Sequence, residues 1–153
     1  MDSPQRCLEC GTLWTDGVTC QDHFYQMGYW ELENPTALYE VHHLMVLSYH
    51  LQHPSLYSPT GLSNAKELLV DFLTTGITPS AMRQKIRDDV DSGVRKFKIK
   101  STAESFGTYE YPVQWTMTAA SVTAGGVDTY CDNVKAWAQS ILESLKASGN
   151  LDA

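Results

Sequence analysis

Residues Leu38–Pro54, LYEVHHLMVLSYHLQHP, form the most apolar run of the chain and carry four of its five histidines. Wound at 3.6 residues per turn, the run has no wholly polar face: Leu38, Val41, Met45 and Leu51 spread around the cylinder with Leu44, Val46 and Leu47. A helix apolar all round needs neighbours on every side, so this stretch predicts the centre of a helical bundle. Pro35 lies near its start, and Pro54 forces His53 out of ideal helical geometry and so fixes its end. His42, Tyr49 and His53 fall within about 40° of one line, because steps of seven and eleven residues nearly close whole turns.

Upstream, Asn34-Pro35 breaks the chain, and the segment from Cys20 to about Glu33 reads as a first helix with Phe24, Met27 and Trp30 or Tyr29 as its apolar stripe. A short connection makes two such helices antiparallel neighbours. Before them stands Cys7-Leu-Glu-Cys10-Gly11, then Cys20-Gln-Asp-His23. Two thiolates separated by two residues bind one ion, and the following glycine permits the tight backbone path of a zinc knuckle. Cys20 and His23 would sit on one face of a first helical turn, so C-x2-C-x9-C-x2-H predicts zinc. The hairpin offers another fourth ligand. With its turn near Asn34, Cys20 lies level with about residue 49 of the second helix, which brings His50 and His53 close to the cysteines. His42 lies about 10–16 Å further along the axis. A redox Cys-x-x-Cys usually opens a helix after a buried strand, and no such strand precedes Cys7.

These residues resemble an uncharacterised bacterial family of domains of unknown function. Its members show Cys-Gly near the start, VHxLxVDxYxxQHP in the middle and VxxWAxSV near the end. The matching positions are Cys7, Cys10, Gly11, Cys20, Val41, His42, Leu44, Tyr49, Gln52, His53, Pro54, Val134, Trp137 and Ala138. Gln21 stands where the family has tryptophan, and Leu47 where it has aspartate. The resemblance implies a site and a fold, and it carries no activity. It matches His53 and expects no histidine at position 23. Together with the hairpin, it favours Cys7, Cys10, Cys20 and His53 as the metal ligands over a set ending in His23.

Downstream of Pro54, SLYSPTGL reads as loop, with Ser63 capping the next helix through Leu68, Leu69, Phe72 and Leu73 to Gly76. Thr78-Pro79 predicts a cap for a further helix facing Met82, Ile86 and Val90 inward. Val94–Lys100, VRKFKIK, alternates like a strand and carries four cations; lysines suit a solvated edge. A small strand or hairpin is therefore expected near 94–117. Thr118 predicts a short helical turn. From Val127, residues Tyr130, Val134, Trp137, Ala138, Ile141, Leu142 and Leu145 form one buried stripe of a final helix.

A chain of 153 residues is large enough for one core without disulfides. A formal charge of −7 argues against broad binding to nucleic acid or anionic membranes, even with Lys96, Lys98 and Lys100 in one run. No run approaches the roughly 18 apolar residues of a membrane span, and no secretory leader is evident, so a cytoplasmic location is expected. The expectation is a mainly α, four- to five-helix bundle forming one domain over 1–153, with a zinc knuckle region at 1–23 and the bundle at 24–149. Its zinc would be structural, with a bundle surface or pocket binding a protein or small-molecule partner. The rival expectation is a metal-dependent enzyme using His42, Tyr49 and His50 in a cleft beside the metal. No His-Glu-x-x-His, Gly-x-Ser-x-Gly or phosphate-binding glycine loop supports a particular enzyme class.

Overall fold

The computed structural model describes residues 5–79, 81 and 107–151. The expected mainly helical bundle is present. Among the described residues its helices are α1 (Cys20–Glu33), α2 (Pro35–Leu38), α3 (His42–Leu51), α4 (Pro59–Thr75), α5 (Ala119–Ala124) and α6 (Tyr130–Ala147). A two-stranded antiparallel hairpin precedes them: β1 (Gln5–Arg6) pairs with β2 (Leu13–Trp14), Gln5 opposite Trp14 and Arg6 opposite Leu13. Helix α3 packs against α4 and α6, while α1 packs against α5. Met45, Leu51, Leu69, Tyr130, Trp137, Ile141 and Leu145 are fully buried between them.

Helix α1 starts where its sequence starts it. Thr19 accepts from the Asp22 N–H, and the Asp22 carboxylate accepts from the Thr19 N–H, a reciprocal cap. Its inward stripe is the expected Phe24, Met27 and Trp30, with Tyr29 turned outward and Glu31 added to it. Cys20, Met27 and Glu31 are buried, while Tyr29 is exposed and Trp30 is partly covered against the core. The second helix is not continuous. Residues Tyr39–Val41 tighten into a 3-10 turn between α2 and α3. Side chains three apart eclipse in a 3-10 turn, and the Tyr39 ring accordingly lies flat on His42, centroids 4.5 Å apart and planes at 11°.

Helix α4 begins five residues earlier than Ser63, the expected cap. Ser58 accepts from the Gly61 N–H and Pro59 takes the first helical position, so the serine–proline pair read as loop is the helix start. Thr78 accepts from the Ala81 N–H at 3.3 Å, the cap expected there. The expected helix beyond it, with Met82, Ile86 and Val90, lies outside the described residues, as does 94–106 of the expected strand region. Residues 107–117 run without a strand. Side chains hold them instead. Tyr109 donates its hydroxyl to the Leu51 carbonyl, and Asn150 clamps the Tyr111 backbone through Oδ1 and Nδ2. Gly107 passes so close to the Pro54–Leu56 turn that a Cβ would sit 3.0 Å from the Pro54 and Tyr57 carbonyl oxygens.

The final helix starts at Tyr130, and Val127 is exposed outside it. Cys131 is partly buried and donates to the Ala37 carbonyl. One polar residue ties the elements together. Buried Gln52 donates to the Met117 carbonyl at 2.7 Å and accepts from the Trp137 indole N–H at 3.1 Å. It therefore joins the end of α3, the segment before α5 and α6. An apolar residue there would leave two buried groups unpaired.

Candidate metal centre

The loop between β1 and β2 is the Cys-x-x-Cys-Gly segment. Cys7 N–H donates to the Thr12 carbonyl at 2.8 Å, Gly11 N–H to the Cys7 carbonyl at 3.0 Å, and Cys10 N–H to the Cys7 sulfur at 3.5 Å. Gly11 takes φ of 80°, the left-handed conformation that the motif reserves for glycine. The turn thus aims both sulfurs at one point. Cys20 arrives at the first residue of α1, its sulfur 3.5 Å from that of Cys10, and Trp14 donates its indole N–H to Cys20 at 3.3 Å.

His53 completes the group from the other side. The four donor atoms of Cys7, Cys10, Cys20 and His53 all lie within 4.8 Å of one another, and all four residues are buried. His53 Nδ1–H donates to the Tyr49 carbonyl at 2.6 Å, which fixes the tautomer and leaves the Nε2 lone pair for the cluster. Nε2 is buried without a hydrogen-bond partner among the described residues. Such an atom costs about 1–3 kcal/mol if nothing meets it. Proline explains its placement: Gln52 ends α3, and His53 before Pro54 turns to φ −127°, ψ 64°.

Electrostatically the cluster wants a cation. Contacts from Cys10 and Cys20 hold the Cys7 thiol far below its ordinary range against the effect of burial. Cys20 and Cys7, with burial, drive Cys10 far above it. The first thiolate forms readily and the next resists, because like charges would crowd one small volume. Burial alone would push His53 down, but Cys20, Cys7 and the Tyr49 carbonyl outweigh it and lift it to about 10. A divalent ion would replace these protons and supply the missing positive charge. Three sulfurs and one imidazole nitrogen are also a donor set that soft or borderline metals accept.

The other histidines go elsewhere. His23, the competing fourth ligand, pairs through Nδ1 with the Thr123 hydroxyl of α5 at 2.8 Å, and it is no member of the cluster. His50 donates Nδ1–H to the Val46 carbonyl, and its ring lies against Tyr57. Tyr49 does border the cluster, its ring 4.3 Å from that of His53, and burial followed by Cys20, Cys7 and Cys10 pushes its hydroxyl up to about 12. His42 instead donates Nδ1–H to Glu31 at 2.6 Å. The eight residues from His42 to His50 put about 12 Å of helix axis between them.

Several residues that serve the site carry no motif. Glu9, inside the knuckle, accepts the Ser55 N–H on its carboxylate and the Trp115 indole N–H on its carbonyl. It sews the knuckle to the turn after His53 and to the 107–117 segment. Thr12 holds the Cys10 sulfur at 3.1 Å. Glu31, 2% exposed, receives both His42 and the Tyr130 hydroxyl. Only Glu31 left a signal: counted from Cys20 and Met27 it falls on the buried stripe, where a charge needs partners.

The fold and cluster define a mainly helical domain with a Cys3His group able to hold one metal ion. The chain belongs to a family of unknown function (DUF5946), which it matches over residues 5–146. No curated protein and no solved structure matches it.

Proposed function

We propose that Cys7, Cys10, Cys20 and His53 hold one zinc ion in a structural role, stapling the N-terminal knuckle to the bundle. The bundle would then present a surface or pocket to a protein or small-molecule partner in the cytoplasm. The observation that carries this reading is the orphaned His53 Nε2, fully enclosed and within 4.8 Å of three sulfurs. Four protein donors complete a tetrahedron, the arrangement of structural rather than catalytic zinc. The links from Glu9 to Ser55 and Trp115 give the ion mechanical consequence, because they couple the knuckle to two other parts of the chain. Free thiols at all four cysteines suit a reducing compartment. No described helix is long and apolar enough to cross a membrane.

A metal-dependent enzyme built on His42, Tyr49 and His50 draws less support. Tyr49 borders the cluster by its ring, but His42 is bonded to Glu31 and His50 to the Val46 carbonyl, and a complete set of protein donors leaves no position for water. Metal analysis of purified protein tests the proposal: about one zinc per chain is expected, absent from the Cys7→Ser/Cys10→Ser double variant. Full zinc retention by that variant overturns it.

A further inference from the structure

Among the described residues, every sulfur of the cluster meets a hydrogen-bond donor that is not itself a sulfur. The Cys10 N–H points at Cys7, the Thr12 hydroxyl lies 3.1 Å from Cys10, and the Trp14 indole N–H lies 3.3 Å from Cys20. The first belongs to the backbone path of the knuckle and comes with it. The other two depend on side chains that the Cys-x-x-Cys-Gly motif does not specify.

Local sequence brings the indole to Cys20. Val18 N–H donates to the Thr15 carbonyl at 2.9 Å, and Asp16 and Gly17 between them take φ of 54° and 78°. Asp-Gly suits a turn whose two central residues are both left-handed. That turn reverses the chain after β2, so that Cys20, the first residue of α1, returns to Trp14. The Trp14 ring packs against the cysteines, and its N–H can only donate.

Charge gives these donors a task. Three thiolates exceed a divalent ion by one negative charge, and a buried excess charge needs partners. Arg6, beside Cys7, is spent on the Gly11 carbonyl at 2.6 Å, and no lysine or arginine among the described residues bonds a sulfur. The excess therefore falls on neutral donors. A hydrogen bond to an ionised acceptor is roughly twice as strong as one between neutral groups, and partners behind a metal ligand also fix its orientation.

We propose that Trp14 is a positioning residue of the metal centre, its indole N–H holding the Cys20 sulfur and drawing charge from it, as the Thr12 hydroxyl does for Cys10. The proposal rests on the reading that the cluster holds zinc, and it names the residues outside the ligand set that govern how tightly. Trp14→Phe keeps an aromatic ring against the cysteines and removes the N–H. Thr12→Val keeps the shape of its side chain and removes the hydroxyl. Trp115→Phe is the packing control: Trp115 also packs against the cysteines, but its N–H goes to the Glu9 carbonyl.

Chelator competition on the full chain reads zinc affinity. Cobalt(II) loaded into the same proteins reports on the sulfurs through thiolate-to-cobalt charge-transfer absorption. Zinc affinity should fall at least about tenfold in Trp14→Phe. Its cobalt band should move to longer wavelength, because a sulfur without a donor gives up an electron more easily. Thr12→Val should move the band the same way, and Trp115→Phe should leave it in place. An unmoved band or unchanged zinc affinity in Trp14→Phe, or an equal band shift in Trp115→Phe, overturns the proposal. Should Trp14→Phe fail to fold, an unmoved band in Thr12→Val overturns it instead. A wild-type protein with no thiolate–cobalt band would refute the zinc reading and this proposal with it. A normal wild-type band that the two variants leave unmoved refutes this proposal alone.

Discussion

Replacing His53 by alanine, with His23→Ala as its control, separates two ways of building the fourth ligand. His53 is 7% exposed, and its Nε2 meets only the three sulfurs, so the variant removes one donor of four and vacates a buried space. Loss even of a group that merely orients a ligand costs about 10–100-fold in metal affinity, so loss of the ligand itself should reach the upper end. With the metal in excess, a 100-fold weaker affinity removes about 2.7 kcal/mol of metal-linked stability. Deleting the imidazole leaves a buried space but also removes the orphaned Nε2, and the two partly offset; about 1 kcal/mol in the metal-free protein is expected. His23→Ala breaks only the bond to Thr123, worth about 1 kcal/mol, and leaves the cluster intact. Competition against a chromophoric chelator reads the affinities, and urea unfolding with and without zinc reads the linked stability. A large loss of affinity in His23→Ala and none in His53→Ala would refute the geometry on which the site rests.

Chelation of the wild-type protein should lower its melting temperature and loosen the knuckle while the helices persist in part, checked by circular dichroism and amide exchange; an unchanged melt after verified metal removal contradicts a stabilising ion. Gln52→Leu should destabilise by about 2–4 kcal/mol in urea unfolding, because the Trp137 N–H and the Met117 carbonyl both lose a buried partner. Burial lowers the His43 pKa, with a bond to the Ile77 backbone opposing and His42 adding to the depression. The unfolded chain therefore binds the proton more readily than the folded one, so His43 contributes stability above about pH 6.5 that is lost as pH falls toward its folded pKa. Urea midpoints at pH 7.5 and 5.5 should converge in His43→Leu relative to wild type, and an unaltered pH slope would count against a buried neutral imidazole.

The helices were legible wherever a single residue type decides them. Asn34-Pro35 ends α1, and the stripe from Tyr130 to Leu145 sets α6. Ser58-Pro59 was misread because serine and proline serve loops and helix starts alike; the Gly61 amide that Ser58 accepts from decides between them only in three dimensions. The 3-10 turn at Tyr39–Val41 was invisible for a similar reason. It lies directly before His42, which bonds the buried Glu31 carboxylate on α1, and helical periodicity carries no trace of that tertiary contact. The cysteines and His53 came together as hairpin geometry implies, since the rise per residue fixes which positions lie level. Glu9, Trp14 and Trp115 could not be found that way. Each acts through one bond to a partner whose position depends on the whole fold.

The division of the cluster into three donors from the hairpin end and one from after α3 imposes an order on synthesis. Thirty-three positions separate Cys20 from His53, so a ribosome adding about 5–20 residues per second exposes the three sulfurs some seconds before the imidazole exists. Under the zinc proposal, an ion held by the three sulfurs alone would still be open to exchange. Only when α1 and α3 have folded back on each other does His53 arrive, and Glu9 then fastens to Ser55 behind it. On that same proposal, a chain that fails to close the turn at Asn34 would offer three donors instead of four and hold its ion less tightly.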